Sequence, residues 1–156
     1  AFVVQKHPRQ PLLIRRMVRD LVFPVDVVSV PTVREADGLA MSSRNMYLTE
    51  SDREVALCLS GALRAGADAA AFGPSAIRRA AREVLVEEPL ALVSYLVLVH
   101  PHTLADVPAW YRGEALLAVA ARVGTTRLID NTPVLVGPGG GALDVFSDVP
   151  HARADV

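Results

Sequence analysis

Apolar positions along this chain keep two different rhythms, and the change from one to the other marks out its parts. From Pro11 onward Ile14, Met17, Val18 and Leu21 recur at i, i+3, i+4 and i+7, with Arg15, Arg16 and Arg19 beside them, which predicts an amphipathic helix. Proline suits its first turn because the missing N–H would have no partner there. Residues 1–4 before it, and the β-branched run from Val25 to Val30 after it, read as strands. Strand, helix and strand within thirty residues predict a βαβ unit with a parallel pair. One helix cannot cover both faces of parallel strands, and no further strand–helix alternation follows. Residues 1–30 are therefore expected to be the tail of a larger doubly wound domain whose earlier part lies outside the chain.

Residues 31–47 are polar, contain Gly38 and keep neither rhythm, so they read as a loop and hinge. Thr49 then offers an N-cap, with Asp52 three residues on. Val55, Leu59, Ala62, Gly66 and Ala70 form one face of a long helix that Gly73-Pro74 ends. Ser75 is placed to cap a second helix with Ile77, Ala80, Ala81, Val84 and Leu85 as its apolar stripe. Three β-rich runs follow, 91–99, 114–123 and 127–136, the last containing Pro133. The segment from His100 to Arg112 is too long for a tight hairpin, whereas Val123-Gly124-Thr125 reads as a turn. Residues 48–136 thus predict a small α+β unit of two helices and about three antiparallel strands. The glycine-rich run from Gly137 to Gly141 opens a flexible tail, 137–156. It lacks the strand–loop–helix setting and the lysine that a phosphate-cradling glycine loop requires.

Composition narrows the class. With 156 residues, 51% hydrophobic and net charge −1, the chain can bury a core but projects no global field toward nucleic acid or an anionic membrane. No apolar run reaches membrane-spanning length, and the first residues lack a basic region followed by an apolar one, so secretion is not expected. The one cysteine, Cys58, excludes an internal disulfide framework and fits a reducing cytoplasm. It lies within the long helix, where it reads as small core filling rather than a nucleophile. Arginine outnumbers lysine fifteen to one, so Lys6 is the only primary-amine side chain.

The candidates for chemistry are few. Lys6 stands between the first strand and the first helix, at the carboxyl end of a parallel strand, where open α/β sheets place ligands. A surface lysine is the plainer alternative. Gln10 nearby either reads a polar ligand or caps the helix. The loop carries Arg34, Glu35, Asp37, Ser42, Ser43, Arg44 and Asn45, and hydroxyls beside a guanidinium suit phosphate oxygens. The same residues also suit a solvated interdomain linker, and the composition leaves both open. His100 and His102 lack a third ligand at metal-binding spacing. Trp110 and Tyr111 are expected to pack over the small sheet, and His151 falls in the tail.

The stretch from Val30 to Leu48, VPTVREADGLAMSSRNMYL, closely resembles the signature loop of the pantothenate synthetases (pantoate–β-alanine ligases). The segment from Leu13 to Leu21 resembles the preceding helix of that family, and the segment from Leu117 to Asn131 resembles its C-terminal strand pair. The resemblance runs in order from about Gln5 to Asn131. It implies a Rossmann-like nucleotidyltransferase domain followed by a small lid-like domain. It also implies a reaction in which ATP and Mg²⁺ activate pantoate as an adenylate that the amine of β-alanine then attacks.

Residue by residue, the resemblance implies that Lys6, Ser42 and Arg44 contact ATP phosphates, with Ser43 in the same loop. Gln10 matches a glutamine that holds pantoate, and Val33 and Met41 match positions lining the adenine pocket. Departures accompany the match. The family pattern Gly-x-Lys-Asp-x-x-Gln reads Val4-Gln5-Lys6-His7-Pro8-Arg9-Gln10 here, so Val4 replaces a glycine, His7 replaces an acid and Pro8 stiffens the turn. Val97 stands where a glutamate is usual. The family's histidine-containing ATP signature, a second pantoate-binding glutamine and the acidic Mg²⁺ site have no counterpart in these residues. The resemblance therefore implies a chain that supplies the lid and one wall of the site. The alternative is a non-catalytic domain of that family that folds without turnover. Homodimers occur in the family, through the part not matched here.

Overall fold

The computed structural model describes residues 1–7 and 9–144. Its elements follow in the order β1 (Phe2–Val4), α1 (Arg9–Asp20), β2 (Val28–Val30), α2 (Glu50–Asp68), α3 (Pro74–Val86), β3 (Ala91–Val99), β4 (Gly113–Val123), β5 (Thr126–Val136) and β6 (Gly141–Ala142). β1 and β2 form a two-stranded parallel sheet, and β3-β4-β5-β6 form an antiparallel one. The α/β class and the parallel unit followed by a two-helix antiparallel unit are thus as expected. Pro8 and the tail from residue 145 onward, His151 included, lie outside the described residues.

Local chemistry accounts for the main boundaries. The Thr49 side chain accepts from the Asp52 N–H while the Asp52 side chain accepts from the Thr49 N–H, a reciprocal cap that starts α2 where the sequence places it. α3 corrects the expected cap. Ser75 lies inside the helix, because Pro74 occupies the first helical position and Gly73, at φ +96°, takes the cap position. α1 likewise begins at Arg9, ahead of Pro11, and β2 covers only the last three residues of the run from Val25. Half of the α1 stripe is left in solvent: Met17 and Leu21 are exposed, since two short strands give the helix little to lie on.

The core belongs to the second unit. Val55, Leu59, Ala62, Leu63 and Ala67 of α2, Ile77, Ala81 and Leu85 of α3, and Ala115, Leu117, Val119 and Ala121 of β4 pack in one cluster. The alternation along β4 gives this face to the helices. At Gly66 a Cβ would lie 2.5 Å from Leu117 Cδ2, so the leucine fills a notch in α2 that only glycine leaves. β4 and β5 are joined by a two-residue loop in which Gly124 has φ +56°, the expected tight turn.

The glycine run corrects the flexible-tail expectation up to the last described residue. Gly137 N–H donates to Ala70 O at 3.0 Å and Gly140 N–H to Gly137 O at 2.7 Å, and the chain returns along β5 as β6. A Cβ at Gly140 would stand 2.1 Å from Leu135 O, so the glycines build a close turn and the sheet gains a fourth strand. Trp110 is a further correction: it is 78% exposed, and only Tyr111 packs against the core, its hydroxyl donating to Glu114 O at 2.6 Å.

Candidate functional site

The residues between β2 and α2 form an ordered hairpin-like loop. Arg34 and Ala40 make an antiparallel bridge, and Met41 N–H donates to Val33 O at 2.9 Å. Gly38, at φ +95°, closes the turn between them, its N–H donating to Glu35 O. Residues Ser43–Tyr47 then wind into a short 3₁₀ turn capped by Ser42, whose Oγ accepts from the Arg44 N–H at 3.3 Å. Tertiary ties fix the loop. Arg53 of α2 binds both Glu35 and Asp37, and Asn45, buried, donates to Glu35 Oε1 at 2.6 Å and Ala40 O at 3.2 Å. These bonds hold the Glu35 and Asp37 carboxyls below their ordinary range, Asn45 being the largest cause for Glu35 and the Leu39 N–H for Asp37.

Lys6 reaches this loop from the other unit. Gln5 N–H continues the parallel pairing by donating to Val30 O, which carries the chain off the end of β1. The Lys6 ammonium then donates to Met41 O at 2.6 Å and Ala40 O at 3.1 Å, the two carbonyls that precede Ser42. Burial pushes this ammonium below the usual lysine value; Asp130 offsets part of the shift, and Arg34 and Arg44 deepen it. Lys6 and Arg44 therefore feel each other's charge, and an anion beside them would relieve that repulsion.

The geometry thus seats the Lys6 ammonium on the Met41 carbonyl, next along the chain to Ser42, Ser43 and Arg44, with Val33 paired to Met41 through the backbone. Val33 and Met41 are both exposed. An ammonium holds three protons and Lys6 uses two of them on carbonyls. The Ser42 hydroxyl oxygen accepts from the backbone, which leaves its own proton to donate. This donor set fits phosphate oxygens. Gln10 is not joined to the cluster by any described contact; it lines an open groove with His7, Arg9, Leu13 and Ile14. Among the described residues no three His, Cys, Asp or Glu side chains gather as a metal site. His100 and His102 stand with ring centroids 5.6 Å apart without a further ligand. Burial pushes the Cys58 thiol up to about 11, which keeps it protonated and inert.

Two residues of β5 escape the sequence reading. Asp130 and Asn131 are buried polar neighbours, and their side chains meet Arg34 of the loop and the Gln5 carbonyl just after β1. The available signal was an adjacent acid and amide in mid-strand, between Ile129 and Thr132.

Known proteins share this sequence and fold. The family model described as pantoate–beta-alanine ligase matches residues 1–133. A pantothenate synthetase of Thermobifida fusca is 56% identical over 134 residues, covering 83% of this chain and 45% of the relative. One of Mycobacterium avium is 48% identical over 153 residues, covering 98% and 49%. The crystal structure of pantothenate synthetase from Thermus thermophilus superposes with a TM-score of 0.78 at 47% identity, covering 84% of this chain and 48% of that one. A Francisella tularensis pantoate–beta-alanine ligase, solved in complex with beta-gamma ATP and beta-alanine, gives 0.54 at 25% identity. The chain spans about half the length of the curated relatives it matches. No helix among the described residues is long and apolar enough to cross a membrane.

Proposed function

We propose, since the chain belongs to the pantoate–beta-alanine ligase family, that it supplies the phosphate-handling lid of an ATP-dependent, AMP-forming synthesis of pantothenate. In this reading the pantoate carboxylate attacks the α-phosphorus of ATP, pyrophosphate leaves, and the β-alanine amine then displaces AMP from the pantoyl adenylate. An anion attacking a phosphate that is already anionic needs cations and hydrogen-bond donors where charge accumulates. Lys6 and Arg44 supply the charge and Ser42 and Ser43 the hydroxyl donors. Val33 and Met41 flank the adenine, and Gln10 holds pantoate from the adjoining groove. In this reading Mg²⁺ accompanies the nucleotide.

The observation that carries this reading is the seating of the Lys6 ammonium on the Ala40 and Met41 carbonyls, immediately ahead of Ser42 and within electrostatic reach of Arg44. It is tested by exchanging this chain for the matched segment of the Thermobifida fusca relative and following pantoate-dependent pyrophosphate release. Arg44→Ala should slow that release by about 100-fold, the scale of losing one preorganised donor to developing charge. Unchanged release would remove Arg44 from the site. The exposed Val4 and His7, which depart from the family pattern, favour one competing reading, a folded domain without turnover. In that case the exchanged protein releases no pyrophosphate even with Arg44 intact.

A further inference from the structure

We infer that Asp130 and Asn131 are positioning residues that set the Lys6 ammonium in place by gripping, from opposite faces of β5, the two chain segments between which that ammonium is held. Consecutive residues of a strand point to opposite sides. On one side the Asn131 amide donates to Gln5 O and to Lys6 O, both at 3.0 Å. On the other, Asp130 takes a two-pronged bond from Arg34, Nη1 to Oδ2 at 2.7 Å and Nη2 to Oδ1 at 3.1 Å. Arg34 also donates to Gly38 O at 3.1 Å, so the loop leading to Ala40 and Met41 is tied to the same strand.

The consequence for Lys6 is geometric. Its root, the backbone carbonyl, is fixed by Asn131. Its tip rests on Ala40 and Met41 carbonyls belonging to the loop that Asp130 holds through Arg34. A long flexible side chain pinned at both ends loses the freedom that would otherwise blur where its third proton points. β5 is a rigid anchor for this purpose, since it pairs with β4 along its length and buries Leu128, Val134 and Val136 in the core.

Residue types at these positions are specific to the task. Both partners of the Asn131 amide are carbonyl acceptors, so the group facing them must be a neutral donor with two protons. Aspartate there would oppose oxygen to oxygen, and an apolar residue would leave two buried carbonyls unmet. Asn131 is 3% exposed and the Asp130 side chain also 3%, so neither falls back on water. A buried carboxylate demands its bidentate arginine, which makes the Arg34 contact hard to exchange for another.

This inference rests on the proposed function for what the Lys6 ammonium touches, and the test separates the two. Lysine labelled with ¹³C at Cε gives a single signal, because the chain has one lysine. In Asn131→Leu, which keeps the branching at Cγ and removes both donors, the Lys6 signal should move to the position of a free lysine. Its titration midpoint should rise toward the usual lysine value, while the backbone amide signals of α2, α3, β3 and β4 stay in place. Asn131→Ala carries the same test if the leucine variant does not fold. Leu128→Ala, a core change that touches neither contact, should leave the Lys6 signal where it is. An unmoved Lys6 signal in the folded Asn131 variant overturns the inference and leaves the phosphate reading standing. A wild-type signal that ignores added ATP removes the phosphate reading and leaves the grip standing.

Discussion

Lys6→Met should lower adenylate formation by about 10²–10³-fold when the chain stands in for the matched segment of a full-length relative. Methionine keeps most of the stem but removes the charge and all three donors. The ammonium is held half-buried against the loop carbonyls, where its interaction with an anion is weakly screened and therefore strong. The loss should fall mainly on the rate at saturating ATP, since the charge that Lys6 meets grows as the pyrophosphate bond breaks. If Lys6 served only to tether the loop, Met would raise the ATP concentration needed for half-saturation and leave the saturated rate close to wild type. Combining Lys6→Met with Arg44→Ala should cost less than the product of the two single effects, because both groups face one anion. Pyrophosphate release measured on the four proteins decides this.

Leu117→Ala should destabilise the fold by about 2–5 kcal/mol, the usual range for removing a fully enclosed leucine. Leu117 is 0% exposed, and its Cδ2 occupies the notch that Gly66 leaves on α2, so truncation opens a void bounded by glycine on one side and by the backbone of α3 beyond it. Collapse into that space is difficult, since Ile77 O and Ala81 Cβ already stand 3.3 and 3.4 Å from a Cβ at Gly66. Thermal unfolding should show a midpoint lowered by roughly 5–15 °C for a chain of this size. The effect belongs to the core rather than to the site, so folded Leu117→Ala should still present Lys6 and Arg44 as wild type does.

The legible parts of this protein were those written in local pattern. Thr49 and Asp52 form the reciprocal cap that their spacing implied, and β3 spans the run read as a strand. The resemblance of residues 30–48 led to the family, and Lys6, Ser42 and Arg44 meet at one loop despite the 35 residues that separate Lys6 from Met41. What escaped was set by distant partners. Gly137 to Gly141 looked unstructured because a glycine run is equally the signature of a linker and of a turn too tight for side chains. Only the closeness of Leu135 O and the hydrogen bond to Ala70 O distinguish the two. Trp110 reads as packing over the small sheet, yet no described element covers it. Asp130 and Asn131 look like ordinary strand residues until Arg34 and the Lys6 carbonyl are seen on either side.

The proposed function requires one anion shared by Lys6 and the loop beginning at Ser42. The most direct measurement follows the lone lysine signal while ATP is added to the intact chain. A saturable movement of that signal is expected, much weaker in Arg44→Ala and absent with adenosine, which lacks phosphate. A lysine signal that stays fixed throughout, or that moves equally with adenosine, would contradict it.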